Sequence, residues 1–103
     1  MRRAARTDGN HAAIVAALRN IGATAFSLAA VGNGCPDMVV GYRGVNLLLE
    51  VKDGARPPSE RSLTAAQKEF FAAWAGQAAV VISASDAVTF VVETLRPRPK
   101  GKA

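Results

Sequence analysis

With 103 residues, half of them hydrophobic and 20% charged, the chain has room for one modest core and no second domain, and it is too apolar to be a disordered segment. One cysteine excludes an internal disulfide, no apolar run approaches the ~20 residues of a membrane-spanning helix, and the arginine-bearing start lacks the apolar stretch of a signal peptide, so a reducing cytoplasm is expected. The formal charge of +5 is unevenly held: Arg2, Arg3, Arg6, Arg96, Arg98, Lys100 and Lys102 put seven of the thirteen basic residues in residues 1–6 and 96–103 with no acid, leaving six bases against eight acids, net −2, between them.

That division predicts a basic arm over 1–6, a single domain over 7–95 and a basic tail over 96–103. A near-neutral body with two basic arms suits a polyanion, whose phosphates the arms can neutralise, although short basic tails also serve solubility alone.

Thr7-Asp8-Gly9-Asn10 offers cap residues for a first helix, in which Ile14, Ala17, Leu18 and Ile21 recur at helical spacing until Gly22. Asn10 lies on the inward stripe. It is read either as an ordinary N-cap or as a residue that orients a water or a metal ligand, with Asp8 the nearest carboxylate. Residues 24–30 read as a short strand, and Val31-Gly32-Asn33-Gly34-Cys35-Pro36 as a glycine-rich turn that either admits a nucleic-acid backbone or simply turns. Cys35 reads as a small buried residue rather than a nucleophile.

Two apolar strands then meet at a glycine turn within Pro36–Lys52. If they close through a two-residue loop at Gly44-Val45, Arg43 pairs with Asn46, Asp37 with Lys52 and Val39 with Glu50. Side chains alternate faces, so Asp37, Glu50 and Lys52 share one face, with opposite residues ~5 Å apart and diagonal ones ~7–8 Å. Two carboxylates suit a hard cation such as magnesium, with manganese as its substitute. Such a metal polarises a phosphoryl oxygen and activates water, and a neighbouring ammonium stabilises the charge that builds on phosphorus oxygens. Read singly, each of the three is as well explained as a turn cap or a solvated strand-end charge.

Asp53 to Ser62 is a polar loop whose Arg56 and Arg61 are candidates for phosphate contacts, or for solvated loop charges. Thr64-Ala65-Ala66-Gln67 has the form of a capping box opening a second helix. Leu63, Gln67, Phe70, Phe71 and Trp74 lie along its broad apolar face, where the aromatic residues are expected in the core. Gln67 has two readings, closing the box or pointing to the charges of the hairpin. Residues 78–83 read as a buried strand. Val88, Val91, Val92 and Leu95 mark a last helix capped by Ser83 or Ser85, although their β-branched content also permits a strand.

Pro36-Asp37, twelve residues and Glu50-Val51-Lys52 resemble the motif of the PD-(D/E)XK nuclease superfamily. The run Gly34-Cys35-Pro36-Asp37, with Glu50-Val51-Lys52-Asp53-Gly54 and Leu63-Thr64-Ala65-Ala66-Gln67, looks like the small phage and bacterial nucleases of the VRR-NUC group. The resemblance implies an α/β fold with a minimal restriction-endonuclease-like core, order αβββαβα, its central mixed four-stranded sheet flanked by helices. It also implies metal-dependent DNA cleavage in a bacterial or phage-infected cell. Asp37 and Glu50 would hold the metal with the backbone carbonyl of Val51, Lys52 would assist the attacking water, and Gln67 would face the site. The chain departs from the family at the first helix, where an acid is often found and His11, Ala12, Ala13 and Val15 stand instead.

The function expected is thus a magnesium-dependent DNA endonuclease with one metal, acting as a homodimer because cutting two strands needs two sites; no base-reading element selects its substrate, and branched DNA is one candidate because some small relatives resolve it. Two alternatives are a DNA-binding protein of the same fold without catalysis, and a nuclease directed at RNA or dependent on a partner.

Overall fold

The computed structural model describes residues 9–94. The expectations for Arg2, Arg3, Arg6, Asp8, Leu95, Lys100 and Lys102 lie outside the described residues. The element order is α1 (His11–Asn20), β1 (Thr24–Ser27), β2 (Met38–Tyr42), β3 (Val45–Val51), α2 (Ala65–Ala73), β4 (Ala78–Val81) and α3 (Ala84–Thr94), with a short 3-10 turn at Pro58–Glu60. This is the expected αβββαβα order, an α/β fold. Its mixed four-stranded sheet runs β1-β2-β3-β4, antiparallel except for the parallel pair β3 and β4.

Strand alternation sorts the sheet into two unequal faces. Met38 and Val40 of β2, Leu47, Leu49 and Val51 of β3, and Val81 of β4 form the buried face, packed with Ile14 and Leu18 of α1 and Ala87 and Val91 of α3. Burying each of the larger side chains stabilises the fold by about 1.5–3 kcal/mol. This layer places the ends of β2 and β3. α1 stops where the sequence predicts: Gly22, at φ 91°, reverses the chain, its N–H donating to the Arg19 carbonyl and that of Ala23 to Leu18, which satisfies two of the helix's open carbonyls. α3 is a helix despite its valines, because Ser83 Oγ accepts from the Asp86 N–H at 3.0 Å and caps its start.

The opposite face carries Phe26, Val39, Leu48 and Val80, and α2 reaches it through Gln67, which bonds Glu50. One nine-residue helix does not cover four strands, and none of its residues is fully buried. The expectation that Trp74, Phe70 and Phe71 are core residues is therefore corrected. Trp74 is 45% exposed and stacks on Phe70 at 5.1 Å, while Phe70 and Phe71 are half-buried. No helix among the described residues is long and apolar enough to cross a membrane.

The hairpin register also differs from the expected one. Tyr42 pairs with Val45, Val40 with Leu47 and Met38 with Leu49, so the two-residue loop is Arg43-Gly44 rather than Gly44-Val45. Both loop residues have positive φ, 51° and 82°, which is the twist that a I′ turn supplies to a hairpin. Val45, a poor residue for a turn, enters the ladder instead, and Arg43 lies over the Tyr42 ring at 5.4 Å. The register moves by two residues and not by one, so every side chain keeps its predicted face.

Candidate active site

Continued one step past the last paired residues, the observed ladder brings Asp37 opposite Glu50 rather than Lys52. This correction tightens the carboxylate pair. Pro36 is buried and ends the glycine-rich turn, so Asp37 stands where the chain enters β2. Its Oδ2 accepts the Val51 N–H at 2.6 Å, and its own carbonyl accepts the Leu28 N–H at 2.8 Å. A strand residue's N–H and C=O project to the same side, so the Val51 carbonyl also faces the Asp37 side.

Glu50 is 3% exposed, the one buried charged or polar residue among those described. Its Oε2 accepts from Gln67 Nε2 at 3.0 Å and lies 3.6 Å from Lys52 Nζ. Its Oε1 is buried and finds no donor among the described residues. Burial chiefly, and then the Asp37 carboxylate beside it, push the Glu50 carboxyl up to about 7 from an ordinary 4.5, against the opposing pull of Lys52. Two acidic groups side by side, one of them with an oxygen that accepts no hydrogen bond among the described residues, form an acceptor set that a divalent cation would complete. Among the described residues no group of three or more His, Cys, Asp and Glu is gathered.

Gln67 answers both of its sequence readings at once. Its backbone N–H donates to Thr64 Oγ1 at 3.2 Å and its Oε1 accepts the Thr64 N–H at 2.9 Å, which closes the capping box. The same Oε1 accepts from Lys52 Nζ at 3.1 Å, and Nε2 holds Glu50. The first turn of α2 is thus bolted to the two charges of β3. Gly34 permits this approach: at φ 78° it lies so close to the helix start that a Cβ there would overlap the Ala66 carbonyl. Removing the Gln67 side chain is expected to cost about 1 kcal/mol or more of stability, because it takes away the partners of the Thr64 N–H, Lys52 Nζ and Glu50 Oε2 together. Thr64→Ala, which loses only the bond from the Gln67 N–H to Oγ1, is expected to show a smaller stability loss in denaturant titration, about 1 kcal/mol.

Asn10 is where it was expected and does something else. Its side chain makes no cap hydrogen bond. Nδ2 instead donates to the Lys52 carbonyl at 3.1 Å and the Ile82 carbonyl at 2.9 Å, across the ends of β3 and β4. Nothing local in the sequence encodes bonds to partners 42 and 72 residues away. Arg56 pairs with Glu60, Nη2 to Oε1 at 2.6 Å, and Arg61 Nε donates to the Arg56 carbonyl at 2.9 Å, so the two loop arginines brace each other. Cys35 is half-buried, and burial, then Glu50 and Asp37, push its thiol up, which favours the neutral form over a nucleophilic thiolate.

No family model, curated protein or solved structure gives a significant match to the chain.

Proposed function

We propose that the protein is a divalent-metal-dependent endonuclease that hydrolyses DNA phosphodiester bonds on a minimal restriction-endonuclease-like core of the PD-(D/E)XK kind. The observation that carries this reading is the buried Glu50 opposite Asp37, with an unsatisfied Oε1 and with Lys52 and Gln67 locked beside it. A protein selected for stability alone gains little from an acid kept there at the cost of a strongly raised pKa.

Asp37, Glu50 and the Val51 carbonyl would hold one magnesium or manganese ion. When bound, that ion supplies Lewis-acid polarisation of a phosphoryl oxygen and lowers the pKa of water. Lys52 has three donors, one of which is spent on Gln67 Oε1. The ammonium also pairs with Glu50 Oε2 at 3.6 Å, and what remains of its donor capacity would orient the attacking water and meet negative charge growing on the phosphorus oxygens, in a setting dry enough for the attraction to count. Gln67 keeps the ammonium from collapsing fully onto Glu50. The basic arms, with Arg61 and Arg56, supply phosphate contacts, Arg56 by exchanging Glu60 for phosphate. A homodimer would present two sites for two strands, and branched DNA is the substrate such a pair would suit.

A second reading, a DNA-binding protein without catalysis, is favoured by one observation: the start of α1 offers Asn10 in place of a carboxylate, with its amide already committed. Labelled single-stranded, duplex and branched DNA, and RNA, incubated with the wild-type protein in magnesium, manganese or chelator, separate the two. Metal-dependent cleavage of DNA is expected. Salt-sensitive binding without product in either metal would favour the second reading, and product from RNA alone would move the substrate class.

A further inference from the structure

Asn10 occupies the N-cap position of α1 without capping it. Its amide cannot be turned round, because the oxygen would then face the Lys52 and Ile82 carbonyls, so both N–H groups are fixed on the strand ends. The consequence is an Oδ1 that is buried and finds no donor among the described residues. Serine or aspartate at the same position would cap the helix. This side chain instead joins two strand ends.

Those ends carry the site. The Lys52 N–H donates to the Val81 carbonyl at 3.0 Å and the Gly54 N–H to Ile82 at 3.0 Å, so β3 and β4 are zipped up to the point where Asn10 takes over. Lys52 is the first residue after β3, and the Asn10 amide adds to these main-chain bonds a side-chain link between the Lys52 and Ile82 carbonyls. The side chain of Lys52 is tied to Gln67, and Asn10 ties its carbonyl. Gly9, next to Asn10, also packs on this segment: a Cβ there would lie 3.3 Å from Asp53 Oδ2.

We propose that Asn10 is a positioning residue, whose amide fixes the main chain of Lys52 by cross-linking the ends of β3 and β4 and so sets the ammonium beside Glu50. In place of the acid often found on the first helix, α1 then contributes the alignment of the lysine and not a metal ligand. The inference rests on the nuclease reading for its catalytic consequence, and on the geometry alone for the placement of Lys52.

The test uses Asn10→Asp and Asn10→Ser in the full chain. Both residues are good N-caps, and neither supplies two N–H donors. Turnover and KM are measured on duplex DNA in magnesium, and the Lys52 side-chain carbon next to the amine is followed by NMR without metal. Expected in each variant are a kcat about tenfold or more below wild type with KM within about twofold, a Lys52 signal displaced towards that of a solvated lysine, and partial recovery of both in Asn10→Gln. A wild-type kcat or an undisplaced Lys52 signal in either folded variant overturns the proposal. If Asn10→Asp fails to fold, Asn10→Ser decides. Should the wild-type protein cleave nothing, the nuclease reading fails on its own, and the Lys52 signal still tells whether Asn10 places it.

Discussion

Glu50→Gln is expected to make the metal-free protein more stable at pH 8 and to abolish its cleavage. The sign follows from proton counting. In the unfolded chain the carboxyl titrates near 4.5, and in the folded protein it is pushed up to about 7. Below pH 4.5 both states hold the proton and Glu50 adds no penalty. Between 4.5 and 7 the folded state keeps a proton that the unfolded chain has released, so stability falls as pH rises, and above 7 the full cost is in force. That cost is on the order of 3 kcal/mol, because each pKa unit is worth ~1.4 kcal/mol. A neutral glutamine escapes it and can still accept from Gln67 Nε2. The variant should therefore melt several degrees above wild type at pH 8 and near it at pH 4, while the proposed cleavage falls by about 10³-fold through loss of a proposed metal ligand. Magnesium should raise the wild-type midpoint at pH 8 and leave that of the variant unmoved. Thermal melts at the two pH values, with and without the metal, check all of this.

Asp37→Asn tests the other half of the pair. Asparagine retains an oxygen for the Val51 N–H, so the entrance of β2 should keep its shape. What disappears is the negative charge beside Glu50, one of the causes that hold its carboxyl high. The Glu50 titration, followed by carboxyl carbon NMR, is expected to move down from about 7 towards the ordinary range. Cleavage should again fall by about 10³-fold, since one carboxylate and a carbonyl make a weak magnesium site. A Glu50 midpoint unchanged by the substitution would mean that the two carboxylates do not share a pocket. Glu50→Gln thus exchanges function for metal-free stability, the pattern expected where acidic groups are held together for a ligand's sake.

How much of this the sequence carries differs from residue to residue. The face shared by Asp37, Glu50 and Lys52 is legible because it depends only on parity, and parity survives any register error of two. The pairing itself is not, because the choice between Gly44-Val45 and Arg43-Gly44 turns on whether an arginine accepts a left-handed conformation. That cost is about 1–2 kcal/mol, and it is outweighed when Val45 joins the ladder. Gln67 is legible as a capping residue from four consecutive letters, and its second role follows only once α2 is seen against β3. The aromatic stripe of α2 marks an amphipathic helix correctly, yet nothing in it says that so much of the facing sheet would be left uncovered. Asn10 shows the limit most clearly: its cap position is local information, and its actual partners are set by where three separate elements end.

Everything proposed for this site depends on Asp37 and Glu50 holding a cation for phosphodiester cleavage that Lys52 assists. The decisive measurement is the cleavage rate of the wild-type protein and of folded Lys52→Ala on the same DNA, in magnesium and in chelator. Product is expected from the wild-type protein in magnesium alone, with a rate lower by about 10²- to 10⁴-fold in the variant. Cleavage that persists in chelator, or that Lys52→Ala leaves unchanged, is incompatible with that chemistry.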